Sequence, residues 1–137
     1  MNHYQLKDLS LGMKQELSFS ITPKMMDQFR EITGDENPLH RDTAYANEHG
    51  FAERVVYGML TASFLSTLAG VYLPGERSLI HSVEVKFVAP VLVGDGLVLR
   101  GEITAINEQF SFIEISLSIY NQNNKKVCRG KMQVGVR

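Results

Sequence analysis

With a single cysteine, Cys128, the chain has no internal disulfide to staple it, which suits a reducing compartment. No apolar run approaches the length of a membrane span. The first ten residues, with Asn2, His3, Gln5, Lys7 and Asp8, carry no apolar signal region. The expected location is cytoplasmic. Neither sign of charge is in excess. The formal net charge of −1 recommends neither nucleic acid nor an anionic membrane as partner. The one basic cluster, Lys125, Lys126, Arg129 and Lys131, reads as a solvated turn and strand face. The histidines show no metal spacing: there is no H-x-x-x-H, no C-x-x-C and no cluster of carboxylates. G-x-G-x-x-G, Walker A and G-x-S-x-G segments are also missing, which removes the usual signals of nucleotide-cofactor chemistry and of serine hydrolysis.

What is present fits one α+β domain over residues 1–137, with 44% hydrophobic residues, enough for a real core. Leu17, Phe19 and Ile21 alternate in a first strand over residues 13–21. Thr22-Pro23 then starts a helix, with Thr22 as cap and Pro23 at the first position, where its missing N–H is not needed. Met25, Met26, Phe29 and Ile32 form the apolar stripe of that helix, and Gly34 ends it. A short helix is expected from Asp42 or Thr43 to His49. A longer one opens at Gly58 and is apolar or small almost all round, so it must be wrapped by other structure. From Ser78 onward the period is two, in four strands separated by short turns, which means antiparallel neighbours. Cys128 lies mid-strand with Gly130, Met132 and Val134 on one face and reads as a small buried hydrophobe. An antiparallel sheet curled around the apolar helix buries both, and its free edge favours pairing with a second copy.

The segment Gly34-Asp35-Glu36-Asn37-Pro38-Leu39-His40 is the first candidate site. On a continuous helix, residues five apart point about 140° away from each other. Pro38 forbids that helix and pushes Asn37 toward an extended conformation. The segment therefore folds back and can bring the Asp35 carboxylate and the His40 imidazole to one point, as general acid–base catalysis needs. The bland alternatives are that Asp35 caps a turn, that Asn37-Pro38 is an ordinary Asx-type turn, and that His40 is a surface residue.

The second candidate is Val55-Val56-Tyr57-Gly58-Met59-Leu60. A helix opening at Gly58 leaves backbone N–H groups unpaired at its positive end, a ready site for a carbonyl oxygen gaining negative charge. Equally, Gly58 can serve only a tight loop-to-helix turn. Ser63 and Ser66 on the same helix read first as close-packing residues whose hydroxyls bond one turn back.

Asp35-x-Asn37-Pro38-x-His40, then Tyr57-Gly58-Met59-Leu60-x-Ala62-Ser63, then Phe87-x-x-Pro90-Val91-x-x-Gly94-Asp95, resembles the MaoC-like dehydratases, closest to their R-specific enoyl-CoA hydratases. The resemblance runs from about Leu11 onward. It implies a hot-dog fold, an antiparallel sheet around a long central helix, and a homodimer or dimer of dimers with active sites between subunits. It further implies reversible hydration of a 2-enoyl thioester, carried by coenzyme A or a carrier protein. Asp35 and His40 match the catalytic pair, and Gly58 the position whose N–H polarises the thioester carbonyl. Ser66 matches a helix position near the site, Ser63 is its neighbour, and Asn37 shapes the loop. No metal or redox cofactor is implied, since coenzyme A belongs to the substrate. A hot-dog thioesterase and a noncatalytic acyl-thioester binding module are the competing readings. Lys24, Arg41, Arg54 and Arg77 are candidates for a basic tunnel mouth.

Overall fold

The computed structural model describes residues 1–137. Five strands form one antiparallel sheet: β1 (Lys14–Ser20), β2 (Ser78–Phe87), β3 (Gly96–Asn107), β4 (Phe112–Tyr120) and β5 (Lys126–Val136). Their order is β1-β3-β4-β5-β2, so β1 and β2 are the edges. The helices α1 (Pro23–Thr33), α2 (Pro38–Arg41), α3 (Thr43–Glu48) and α4 (Gly58–Thr67) all lie between β1 and β2 in sequence. The last of these runs on into a wider, π-type turn at Leu68–Tyr72.

The alternation read in the strands decides which face is inside. Ile113, Ile115, Leu117 and Ile119 of β4 are essentially inaccessible, as are Leu97, Leu99 and Ile103 of β3 and Met132 and Val134 of β5. Leu65, Leu68 and Ala69 from the central helix and its extension fill the concave side. Each such burial is worth about 1.5–3 kcal/mol for a large aliphatic side chain, so this layer dominates stability. Gly101 in β3 sets the distance between layers, because a Cβ there would stand 2.7 Å from the Leu68 side chain. Cys128 is buried with them.

The caps act as the sequence predicts. Thr22 Oγ1 accepts from the Met25 N–H at 3.2 Å, and Gly34 closes α1 with φ +72° and its N–H on Arg30 O. Three features differ. Ile32, expected on the apolar stripe of α1, is 81% exposed, while Met26 carries the burial. Pro38 starts the one-turn helix α2 as well as breaking the chain, so His40 sits on a helical turn. Finally, α4 is covered on one side only: Thr61 and Leu65 are buried while Met59 is 67% exposed. Val83 and Phe87 on edge strand β2 are likewise half exposed.

Candidate active site

The loop between α1 and α2 is built from a chain of local hydrogen bonds. Asp35 Oδ1 accepts from the Asn37 N–H at 3.0 Å, and Asn37 Oδ1 accepts from the Leu39 N–H at 3.0 Å, capping α2. Glu36 reaches Arg41 and, at 3.8 Å, Arg30, which ties the loop to both neighbouring helices. These exposed ion pairs order the loop more than they stabilise the fold. The turn and cap readings of Asp35 and Asn37 are thus realised, and they shape the backbone that carries both side chains.

His40 is fixed from the other side. Its Nδ1 lies 2.7 Å from the carbonyl oxygen of Val55. A carbonyl only accepts, so Nδ1 carries the proton and the neutral ring presents a bare Nε2 as acceptor. The Val55 N–H donates to Leu39 O at 3.2 Å, so Val55 and α2 are linked by two bonds. Beside them Tyr57, 3% exposed, lays its ring on that of His40 at 4.2 Å between centroids and on Phe29 at 4.8 Å. Its hydroxyl donates to the backbone carbonyl of Asp35 at 2.7 Å. Burial, and next the negative charge of Asp35, raise the Tyr57 phenol above its ordinary value, so it stays a donor at neutral pH. Asp35 and His40 share no direct hydrogen bond in this structure. One residue, Tyr57, holds both, and sequence reasoning assigned it no role. The signal was there in principle: a hydroxyl-bearing aromatic immediately before a buried helix must place its polar tip somewhere.

Tyr57 is also the residue before α4, and no side chain caps that helix. The leading N–H groups at Gly58 and Met59 have no acceptor within the helix. A Cβ at Gly58 would stand 3.1–3.3 Å from the Phe87 ring, so glycine there lets β2 close over the helix mouth. The result is a cleft of about 340 Å³ in which His40, Gly58 and Thr61 face Phe87, Pro90 and Cys128. Burial pushes the Cys128 thiol up to about 11, which removes it as a nucleophile near neutral pH.

The remaining candidates are placed as follows. Asp35 and Asn37 are exposed, and neither lines the cleft of its own chain. Ser63 donates to Leu60 O at 2.6 Å, the back-bonded arrangement expected of it. Both Ser63 and Ser66 lie on the exposed side of α4 and do not line the cleft of their own chain. Arg41 is engaged with Glu36 and Arg77 with Arg137 O, and none of Lys24, Arg41, Arg54 and Arg77 lines the cleft. No three His, Cys, Asp or Glu side chains converge anywhere in the chain.

Residues 9–123 match the MaoC like domain. The chain belongs to the MaoC-like family. An (R)-specific enoyl-CoA hydratase of Aeromonas caviae is 33% identical to this MaoC-like chain over 93% of its length and 96% of the relative's. A 3-hydroxybutyryl-CoA dehydratase of Methylorubrum extorquens is also 33% identical, over 73% of the chain and 64% of the relative. The solved (R)-hydratase of A. caviae superposes with a TM-score of 0.92 at 32% identity, covering 96% of this chain and 99% of that one. The MaoC-like chain therefore has the hot-dog fold, as the resemblance in its motifs implied.

Proposed function

We propose that this protein is a hydro-lyase that reversibly adds water to a 2-enoyl-CoA, or to the corresponding carrier-bound thioester, giving the (R)-3-hydroxyacyl thioester. The observation that carries the reading is His40 with Nδ1–H bound to Val55 O and Nε2 free, beside the uncapped N–H groups of α4. The full-length relatedness to an (R)-specific enoyl-CoA hydratase supports the substrate class and the stereochemistry.

In this mechanism the Gly58 N–H holds the thioester oxygen and stabilises the negative charge that develops on it. His40 Nε2 takes a proton from water as its oxygen bonds to the β-carbon, and the imidazolium then delivers that proton to the α-carbon. Asp35 accepts the second hydrogen bond of the water and orients it. Asn37 serves the loop. The balance of atoms is complete with water and thioester, so the reaction calls for no metal or redox cofactor.

The apolar side chains left open on β2 and α4, Val83, Phe87 and Met59, support a homodimer in which a second copy covers them. Ser63 and Ser66 then face the subunit interface, where such a site is completed. No helix is long and apolar enough to cross a membrane. A reducing cytoplasm suits the lone buried thiol.

The test is purified protein with crotonyl-CoA, followed by loss of the enoyl thioester absorbance, alongside Asp35→Asn and His40→Ala. Each substitution is expected to lower kcat by about 10²–10⁴-fold while the protein stays folded. Release of free coenzyme A without hydration would instead establish a thioesterase.

A further inference from the structure

One buried hydroxyl has no place in the chemistry above. Thr61 is 1% exposed, and its Oγ1 has no hydrogen-bond partner. Two other helical hydroxyls return to the carbonyl of the preceding turn: Thr33 Oγ1 donates to Phe29 O at 2.9 Å, and Ser63 Oγ to Leu60 O at 2.6 Å. Thr61 makes no such bond to Gly58 O, three residues back, or to Tyr57 O, four back. Tyr57 O already accepts from the N–H groups of Leu60 at 3.0 Å and Thr61 at 3.2 Å. Both lone pairs of that carbonyl are in use.

A buried polar group without a partner is costly, and valine has the same shape without the hydroxyl. The residue also stands in a telling place. Thr61 lines the cleft with His40 and Gly58, and most of the other lining residues, such as Val55, Val56, Val91 and Phe87, are hydrophobic. Side chains on a helix lean toward its N-terminus and reach over the residue three positions earlier, which for Thr61 is Gly58.

We propose that the Thr61 hydroxyl is the second donor to the thioester carbonyl oxygen, acting with the Gly58 N–H at the mouth of α4. The proposal rests on the hydratase reading and deepens it. A carbonyl oxygen gaining charge is held best by convergent donors in a dry site, and one N–H is only one of them. The Thr61 O–H acquires its missing partner when the thioester is bound. It donates a hydrogen bond and transfers no proton. Because the bond strengthens as charge grows on the oxygen, its loss falls mainly on kcat and less on KM.

The experiment compares wild type, Thr61→Val and Thr61→Ser by thermal unfolding, by crotonyl-CoA kinetics and by calorimetric binding of butyryl-CoA, a saturated thioester that cannot be hydrated. Thr61→Val is expected to unfold at the wild-type temperature or above it, and to lose about 10- to 100-fold in kcat, at or below the range for one oxyanion donor. It should bind butyryl-CoA about 2- to 10-fold more weakly. Thr61→Ser should keep most of the activity. Unchanged kinetics in Thr61→Val overturn the proposal and leave the hydratase reading intact. So does a lowered unfolding temperature with activity falling only in step with the folded fraction, since the hydroxyl then serves the fold through a buried water. If wild type does not hydrate crotonyl-CoA, the hydratase reading fails, and the butyryl-CoA comparison still decides whether the hydroxyl meets a thioester.

Discussion

Replacing Tyr57 by phenylalanine separates a tether from the packing around it. The ring stays, so its contacts with His40 and Phe29 are kept, and only the 2.7 Å bond from the hydroxyl to Asp35 O is removed. The stability change is then the net worth of one hydrogen bond, about 1 kcal/mol, or about 3–4 °C in Tm for a chain of this length. The effect on turnover is larger. Asp35 is otherwise placed by its own Asx turn and by α1, and a displacement of about 1 Å at a reacting group is worth up to roughly 100-fold in rate. We expect kcat for crotonyl-CoA to fall roughly 10- to 100-fold, with KM little changed, because Tyr57 does not touch substrate. Steady-state kinetics beside a thermal melt decide the matter. A Tyr57→Phe protein with wild-type kcat and a lowered Tm would refute the positioning role and leave the hydroxyl a purely structural donor.

Gly58→Ala is expected to cost less than about 1 kcal/mol in a melt, because the half-exposed Phe87 ring can swing away from the new methyl, yet to lower kcat/KM tenfold or more as the helix mouth changes shape. The Cys128 thiol, raised by burial from 9.0 to about 11, should resist thiol reagents at pH 8 in the native protein and react at once after denaturation. Its raised value also stabilises the fold fully below about pH 9 and loses that contribution as pH climbs toward 11, because the unfolded chain releases the proton first; Cys128→Val should flatten that part of an alkaline unfolding curve. Met59→Glu, at an open position on α4, should leave the circular dichroism unchanged and convert the dimer to a monomer by light scattering; a wild-type chain that is already monomeric would remove the dimer proposal.

The parts of the fold that were legible in the sequence are those set by period and by local chemistry. Ile113, Ile115, Leu117 and Ile119 point inward because residues two apart share a face. Thr22, Pro23 and Gly34 bound α1 because each supplies what a helix end lacks. The exposure of Ile32, Val83 and Met59 was not legible, because an apolar side chain reads the same whether its cover comes from its own chain or from another. The site divides along the same line. The fold-back at residues 34–40 follows from Pro38 and Gly34. The bond from His40 to Val55 O joins groups fifteen residues apart, and that from Tyr57 to Asp35 O joins groups twenty-two apart. Bonds of that kind use backbone carbonyls, which leave no trace in residue identity.

The structural reading of the Asp35–His40 segment and the catalytic role proposed for it are therefore not rivals. The Asx turn at Asp35, the cap at Asn37 and the helical start at Pro38 are ordinary ways of satisfying backbone donors. Here they also fix the directions in which the carboxylate and the imidazole leave the chain. The carbonyl of Val55 satisfies one nitrogen of His40 and by doing so determines which nitrogen is left to accept a proton. The same economy holds at α4: a helix that used its first N–H groups on a capping side chain would have none for a thioester. Tyr57, the residue in the capping position, sends its hydroxyl to Asp35 instead, so a single choice of side chain leaves the helix mouth open and anchors the carboxylate loop beside it.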